Sequence, residues 1–374
     1  MTGQVERWSL TELTSLTTSA LQTTGMSATD AGLLADSLVS AEATGVTTHG
    51  LTRLVPYLAQ LRADQVSARP QERVLAESPA TVLVDAGRGF GAPVGIRTVD
   101  RLIAKASETG VALGGVTRVA HFGAAAFFTR YAADRGFLAF AMSSTSPSVV
   151  PFGGRGPRIG NSPMSFAAPG ENGPELVLDM AQSVSSRGRI KQFQEQGRDL
   201  PPGWAVDAEG RPTQDPTAAL TGGVLPSGGH KGSALSLMVE MLASGLTGAH
   251  LSQDIRHGGF TTAAGTGPDA TVDVTVGNCY LVVDAATFGD AAGVRQRATA
   301  IARHVRDSEP AVGTDRVLAP GDPEAEHLRT AATEGVALAP DTARSLVGLA
   351  IELGLPVPAP VNDDQGSKDH GDHS

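Results

Sequence analysis

Three histidines stand in short glycine-bearing motifs, Thr48-His49-Gly50, His121-Phe122-Gly123 and Gly229-His230-Lys231-Gly232. A glycine next to a titratable side chain leaves room for a ligand to approach the backbone. The first cluster carries the fullest chemistry. With residues 49–57 in a helix, His49, Arg53 and Tyr57 recur at every fourth residue and share one face. An imidazole that exchanges a proton near neutral pH then stands beside a guanidinium whose planar fork matches a carboxylate, with a phenol next in line. Such a set suits a small 2-oxo or 2-hydroxy acid: Arg53 on the carboxylate, His49 on the oxygen at C2, and the Thr48 hydroxyl orienting the imidazole. The same residues also fit a solvated helix face, and spacing alone leaves both readings open.

His121 precedes Phe122-Gly123-Ala124-Ala125-Ala126, a small-residue run at a strand-to-helix junction. Backbone N–H groups at a helix start bind anions, but close packing of the helix on a sheet explains the run equally well. Leu225-Pro226-Ser227-Gly228-Gly229-His230-Lys231-Gly232-Ser233 is a glycine loop entering an apolar helix. Its N–H groups and Lys231 suit a cofactor phosphate; an ordinary helix entry with an exposed lysine is the alternative. Thr81–Asp85 followed by Gly87-Arg88-Gly89-Phe90-Gly91-Ala92 has the strand, G-x-G-x-x-A, helix order of a dinucleotide fingerprint. That fingerprint needs an acid at the end of the next strand, Val111–Arg118, which contains none. A turn packed by its own glycines is therefore the preferred reading. Neither G-x-x-x-x-G-K-[ST] nor H-E-x-x-H occurs.

Elements must hold these residues in place. Ser9 with Glu12, and Ser27 with Asp30, are helix-start signals ahead of Leu10, Leu13, Leu16 and Leu21, and of Leu33, Leu34, Leu38 and Ala41. The chain thus opens on a helical pair. A third helix is predicted after Gly50, bent by Pro56 inside it. Alternation predicts strands at Val74–Glu77 and Thr81–Asp85, followed by a helix over Val99–Thr109 and a strand over Val111–Arg118. Short strands follow at Leu138–Ser143, Met164–Ala168 and Leu176–Met180, then a tight turn at Asp207–Gly210. An apolar helix over Gly232–Gly245, a strand pair within Thr271–Asp284 and a helix over Ala291–Arg306 complete the pattern. These elements do not alternate βαβ and no repeat recurs at a fixed period, so an α+β arrangement is expected rather than a doubly wound sheet.

Composition narrows the classes. The 374 residues, 41% hydrophobic and 18% charged, suffice for two domains with a large core. No apolar run reaches the ~20 residues of a membrane span, and no secretory signal pattern opens the chain. Cys279 is the sole cysteine, which excludes an internal disulfide and a cysteine-based zinc site and fits a cytoplasmic setting. No metal site is expected. A net charge of -10 and 4% aromatic residues argue against a nucleic-acid partner.

Several motifs recur here in a fixed order. They are Ala41-Glu42-x-x-Gly45-x-x-Thr48-His49-Gly50-x-x-Arg53-Leu54, His121-Phe122-Gly123-Ala124-Ala125, Pro151-x-Gly153-Gly154, Gly160-Asn161-Ser162-Pro163, Leu178-Asp179-Met180-Ala181, Leu200-Pro201, Pro226-x-Gly228-Gly229-His230-Lys231-Gly232 and Pro320-Gly321-Asp322. In that order, over residues 9–355, the sequence resembles the malate/L-lactate dehydrogenase type 2 family, which includes sulfolactate, ureidoglycolate and diketogulonate oxidoreductases and a cyclic-imine reductase branch. The resemblance implies a two-domain α+β fold of the sulfolactate dehydrogenase kind. A largely helical domain for substrate and dimer contacts is expected over 1–75, completed by 300–360. A non-Rossmann NAD(P)-binding α+β domain is expected over 76–299, and 363–374 as a disordered tail. It implies a homodimer with the site near the domain and dimer boundary, NAD or NADP as cofactor, and hydride transfer at C2 of a small 2-hydroxy or 2-oxo carboxylate.

Residue by residue, the resemblance implies that His49 is the acid/base residue, helped by Thr48 where a Ser is usual, and that Arg53 and Tyr57 contact substrate. His121, with Phe122, Gly123 and Ala124, lies in the segment at the cofactor and accepts the proton in the ureidoglycolate branch, which leaves two candidates for one role. Asp179, Met180, Ala181, Gly229, His230, Lys231, Arg316, Gly321 and Asp322 match cofactor-contacting segments. The sequence departs from the pattern at Thr48, at Asn161-Ser162, at His230 for a frequent Tyr, and at Asp322 for a frequent Glu. A reductase of a cyclic imine 2-carboxylate, and a non-catalytic ligand-binding relative, are the competing readings. His49, Arg53, His121 and Lys231, all intact, weigh against the latter. In the imine-reductase branch an Asp stands where this chain has Arg189. A cation there disfavours an iminium and suits an anionic substrate, so Arg189 points to a carbonyl; a solvent-facing Arg189 would carry no such meaning.

Overall fold

The computed structural model describes residues 6–255 and 276–361. After a two-residue strand β1 (Arg7–Trp8), the helix-start signals act where expected. Ser9 Oγ accepts the Glu12 N–H and Ser27 Oγ the Asp30 N–H, opening α1 (Leu10–Gln22) and α2 (Ala28–Ala43). The helix expected through 49–57 is interrupted. Two 3₁₀ turns, Thr47–His49 and Leu51–Arg53, meet at Gly50 before α3 (Leu54–Arg62) begins. Pro56 falls in the first turn of α3, where its missing N–H would have had no intrahelical acceptor, so it costs no bond.

The chain continues through β2 (Arg73–Glu77), β3 (Thr81–Asp85), α4 (Gly91–Thr109), β4 (Val111–Val119), α5 (Ala126–Asp134), β5 (Phe137–Ser143), β6 (Met164–Gly170) and β7 (Gly173–Met180). Helix α4 starts at Gly91 rather than Val99, with Pro93 in its first turn, a position that suits proline. Next come α6 (Arg187–Glu195), β8 (Ala205–Val206), β9 (Pro212–Thr213), α7 (Pro216–Thr221), β10 (Gly223–Val224) and α8 (His230–Glu240). Helix α8 starts at His230 rather than Gly232 and runs on into a π-turn at Met241–Gly245. Strand β11 (Val276–Asp284) falls within the strand pair expected over 271–284, of which residues 271–275 lie outside the described residues, as does the tail 363–374. Then follow α9 (Ala291–Arg306), α10 (Asp322–Glu334), β12 (Val336–Ala337) and α11 (Pro340–Leu353).

The main sheet has seven strands in the order β2-β3-β4-β11-β5-β6-β7. Only β3–β4 is parallel, joined through α4; every other neighbouring pair is antiparallel. A single βαβ unit inside an antiparallel sheet is an α+β fold, as expected. Among the described residues no helix is long and apolar enough to cross a membrane.

Two compact units divide the chain, Met1–Leu58 with Asp322–Ser374, and Ala59–Gly321. The breaks between these units fall at 58/59 and 321/322. Ser67 N–H bonds the Arg88 carbonyl, tying 59–75 to the sheet unit. At the other break Thr299 and Arg306 of α9 bond Glu175 on β7, and Val177 N–H bonds the Pro320 carbonyl. The first unit buries Leu13, Leu21, Leu34, Leu38, Leu54 and Leu346. In the second, Val116, Phe128, Tyr280 and Val282 are buried on the main sheet, and Ile190, Leu200 and Val224 form a separate cluster.

Candidate active site

The turns between α2 and α3 carry the first cluster. Each is closed by few backbone bonds: His49 N–H to Val46 O (2.9 Å), Gly50 N–H to Thr47 O (3.1 Å) and Arg53 N–H to Gly50 O (3.0 Å). Although no continuous helix presents them, Thr48, His49, Arg53 and Tyr57 come together. Thr48 Oγ1 lies 3.0 Å from His49 Nδ1, and Arg53 Nε donates to the Thr48 carbonyl at 2.6 Å. Burial, and then the charge of Arg53, pull the His49 imidazole down to a pKa of about 4. The ring is thus neutral at pH 7, a proton acceptor. The Thr48 hydroxyl at Nδ1 fixes the orientation of the ring. Tyr57 is only 1% exposed, and burial raises its hydroxyl above the ordinary tyrosine value. The charge of Arg53 acts in the opposite direction, favouring the phenolate.

Glu42 is the residue that the sequence reading passed over. It appeared there only as part of a motif, yet its buried carboxylate accepts the Leu51 N–H at 2.8 Å, between His49 and Arg53. The available signal was an acid seven residues before a histidine, and sequence distance does not show that α2 turns it back onto the loop.

In the second unit the end of β7 gathers segments far apart in sequence. The Asp179 carboxylate accepts the Ala126 N–H at the start of α5 (2.8 Å). The anion at that helix N-terminus, which the sequence left open to a ligand, is therefore supplied by the chain itself. Gln182 N–H bonds Asn161 O (2.7 Å), Ser227 N–H bonds Gln182 O (2.8 Å), and Val184 N–H bonds Leu225 O (3.0 Å). Gly321 abuts Val177. His121 is half-buried; its carbonyl takes the Gly91 N–H (3.0 Å), and Phe122 packs 4.8 Å from the Phe128 ring. Gly123 (φ 85°) and Ala124 complete the bend into α5.

The glycine loop is open by contrast. Gly228 and Gly229 both have positive φ (65° and 64°), and His230 and Lys231 are exposed at the start of α8. Gly232 is required because a Cβ there would overlap the Ser227 backbone. Arg316 is exposed, while Met180, Ala181 and Asp322 are half-buried. The buried amide of Gln182 and hydroxyl of Ser185 have no hydrogen-bond partner among the described residues. Unsatisfied polar groups, a cation and a loop of left-handed glycines in one neighbourhood suit a ligand that carries both amide and phosphate groups.

Fold and site together define an α+β protein with a non-Rossmann mixed sheet and, on its helical unit, an imidazole paired with a guanidinium. The family described as malate/L-lactate dehydrogenase matches residues 8–347, and the chain belongs to that family. It is 37% identical over 282 residues to (2R)-3-sulfolactate dehydrogenase (NADP(+)) of Chromohalobacter salexigens, covering 75% of this chain and 82% of the relative. It is 36% identical over 356 residues to the Delta(1)-pyrroline-2-carboxylate/Delta(1)-piperideine-2-carboxylate reductase of Pseudomonas putida, covering 94% and 98%. The solved sulfolactate dehydrogenase of Methanocaldococcus jannaschii superposes with a TM-score of 0.85 at 28% identity, over 94% of this chain and 98% of that one.

Proposed function

We propose that the protein is an NAD(P)-dependent oxidoreductase transferring a hydride between the nicotinamide cofactor and C2 of a small 2-hydroxy or 2-oxo acid. The observation that carries this reading is the Thr48–His49–Arg53 arrangement, a neutral imidazole held beside a carboxylate-binding guanidinium. When bound, NAD(P) supplies the hydride acceptor or donor. Arg53 takes the substrate carboxylate on its fork. Neutral His49 accepts the hydroxyl proton on its imidazole during oxidation and returns a proton to the oxygen during reduction. A bound carboxylate also offsets the Arg53 charge, which raises the pKa of His49 and makes the protonated form accessible for reduction. Lys231 and the Gly228-Gly229 loop would hold cofactor phosphate, with the Asp179–Ala181 and His121–Ala124 segments beside it.

A cyclic imine 2-carboxylate is the second reading, supported by the similarity to the Pseudomonas putida reductase. Arg189 is exposed, with its guanidinium carbon 5.8 Å from the Trp204 ring centroid, so its charge does not separate a carbonyl from an imine. A homodimer is part of the proposal. It is supported by the large apolar side chains left exposed along α8 and beyond, among them Leu237 (56%), Met241 (62%) and Leu246 (53%). Use of a diffusible nicotinamide cofactor supports the cytoplasmic expectation. The test is loss of reduced-nicotinamide absorbance when NADH or NADPH meets a panel of 2-oxo acids and cyclic imines. Turnover of 2-oxo acids is expected; cofactor binding with no turnover of either class would leave a binding protein.

A further inference from the structure

Glu42 ends α2 with a carboxylate that is 4% exposed, raised in pKa by its burial and partly held down by the Leu51 N–H. A carboxylate taken this far out of water carries a desolvation cost that must be offset by a specific contact. That contact is the Leu51 N–H, the first unpaired donor of the Leu51–Arg53 turn, at 2.8 Å. The fit is close enough to dictate the next residue: Gly50 sits against the carboxylate, and a Cβ there would overlap Glu42 Oε2. Gly50 is also the joint at which the turn carrying Thr48 and His49 gives way to the turn carrying Arg53. Single 3₁₀ turns have poor hydrogen-bond geometry and little stability of their own. The spacing of imidazole and guanidinium therefore depends on what fixes that joint.

We propose that Glu42 is a positioning residue, whose buried carboxylate pins the Gly50–Leu51 joint and so sets His49 and Arg53 at the spacing a 2-oxo carboxylate needs. The inference rests on the catalytic reading of His49 and Arg53. Glu42 touches neither substrate nor cofactor; it acts through the two turns. Its acceptor oxygen is the working feature, so an amide carbonyl in the same place substitutes for it, and an apolar isostere or a shorter carboxylate does not.

The experiment compares Glu42→Gln, Glu42→Leu and Glu42→Asp in the full chain. Glu42→Leu and Glu42→Asp should lower kcat/KM for a 2-oxo acid by about 10- to 100-fold, the worth of one charge-assisted hydrogen bond. Cofactor affinity should be unchanged in both, and Glu42→Gln should recover most of the loss. A second measurement, made without substrate, is the NMR titration of the His49 imidazole. Its midpoint near 4 should move toward the ordinary histidine value in Glu42→Leu and stay low in Glu42→Gln. That readout depends on geometry alone, so the proposal survives or fails separately from the catalytic reading. Should Glu42→Leu not fold, Glu42→Asp decides both measurements. Wild-type behaviour in folded Glu42→Leu or Glu42→Asp overturns the proposal. Equal losses in Glu42→Gln and Glu42→Leu overturn it too, because they would assign the work to the charge rather than to the acceptor.

Discussion

His49 and His121 are both half-buried and each has a glycine within two residues, yet the segments that carry them differ in what they contact. Around His49 the polar groups turn toward side chains that carry charge and protons: a hydroxyl at Nδ1, a guanidinium within electrostatic reach, a carboxylate under the joint. Around His121 they serve the fold. The His121 carbonyl holds the start of α4, Phe122 packs with Phe128 and Tyr280, and the first N–H of α5 is held by Asp179. Residue type and local sequence made the two histidines equal candidates. The difference teaches that like residues in like local sequence can be given different company, and that the Thr47–Arg53 turn sets an imidazole among groups that tune its proton affinity.

Exchanging each histidine for alanine is the strongest way to break that contrast. His49→Ala should lower kcat by about 10²–10⁴, the usual worth of general acid–base catalysis, while leaving cofactor affinity nearly intact by fluorescence titration. His121→Ala should act mainly on cofactor affinity. Loss of turnover in His121→Ala with near-normal His49→Ala would reverse the roles.

Arg53 extends the contrast to binding. Arg53→Ala should lower kcat/KM for a 2-oxo acid by about 10²–10³, from a lost charge-assisted pair plus misorientation. Arg53→Lys should recover little, since an ammonium cannot reproduce the fork; near-full recovery would mean that Arg53 is no bidentate clamp.

The acid limb of the pH profile sharpens the comparison further. The His49 pKa lies below its ordinary value, so the base form is present at neutral pH and is lost as pH falls through about 4. kcat/KM for oxidation, which reports the free enzyme, should fall off there. The limb in kcat should lie at higher pH, because the bound carboxylate offsets Arg53. Removing that charge in Arg53→Ala should raise the free-enzyme limb as well. Limbs that coincide in kcat and kcat/KM would remove the coupling between the two side chains.

The smallest effect concerns Arg189 in the second unit. A small 2-oxo acid should have a higher kcat/KM than a cyclic 2-carboxy imine, and Arg189→Asp, at an exposed position, should leave that gap largely unchanged. A wild-type preference for the imine would hand the function to the second reading.

Much of the fold was legible along the chain because it is encoded locally. Ser9 and Ser27 start their helices, Thr81–Asp85 and Ala291–Arg306 have the predicted bounds, and the missing acid after Val111–Arg118 separated this sheet from a Rossmann unit. The glycines were not legible in the same way. Gly87 and Gly91 abut Gln71 and Phe122, where a Cβ would come within 2.7 Å and 2.8 Å of backbone atoms, so those glycines make room for the chain itself. Among the described residues, a Cβ at Gly228 would meet nothing nearer than Lys231 Cβ at 3.9 Å. The two motifs look alike in sequence because glycine records only that space is needed.

What the sequence by itself determined is which residues can exchange a proton, grip a carboxylate or start a helix, since these follow from side-chain chemistry and near-neighbour spacing. The tertiary structure decided the rest. It broke the helix at Gly50 yet kept His49 and Arg53 together, drew Tyr57 into the core, and set Glu42 under the joint. Burial and the approach of charge across many residues control proton affinity, and neither quantity exists until the chain has folded back on itself.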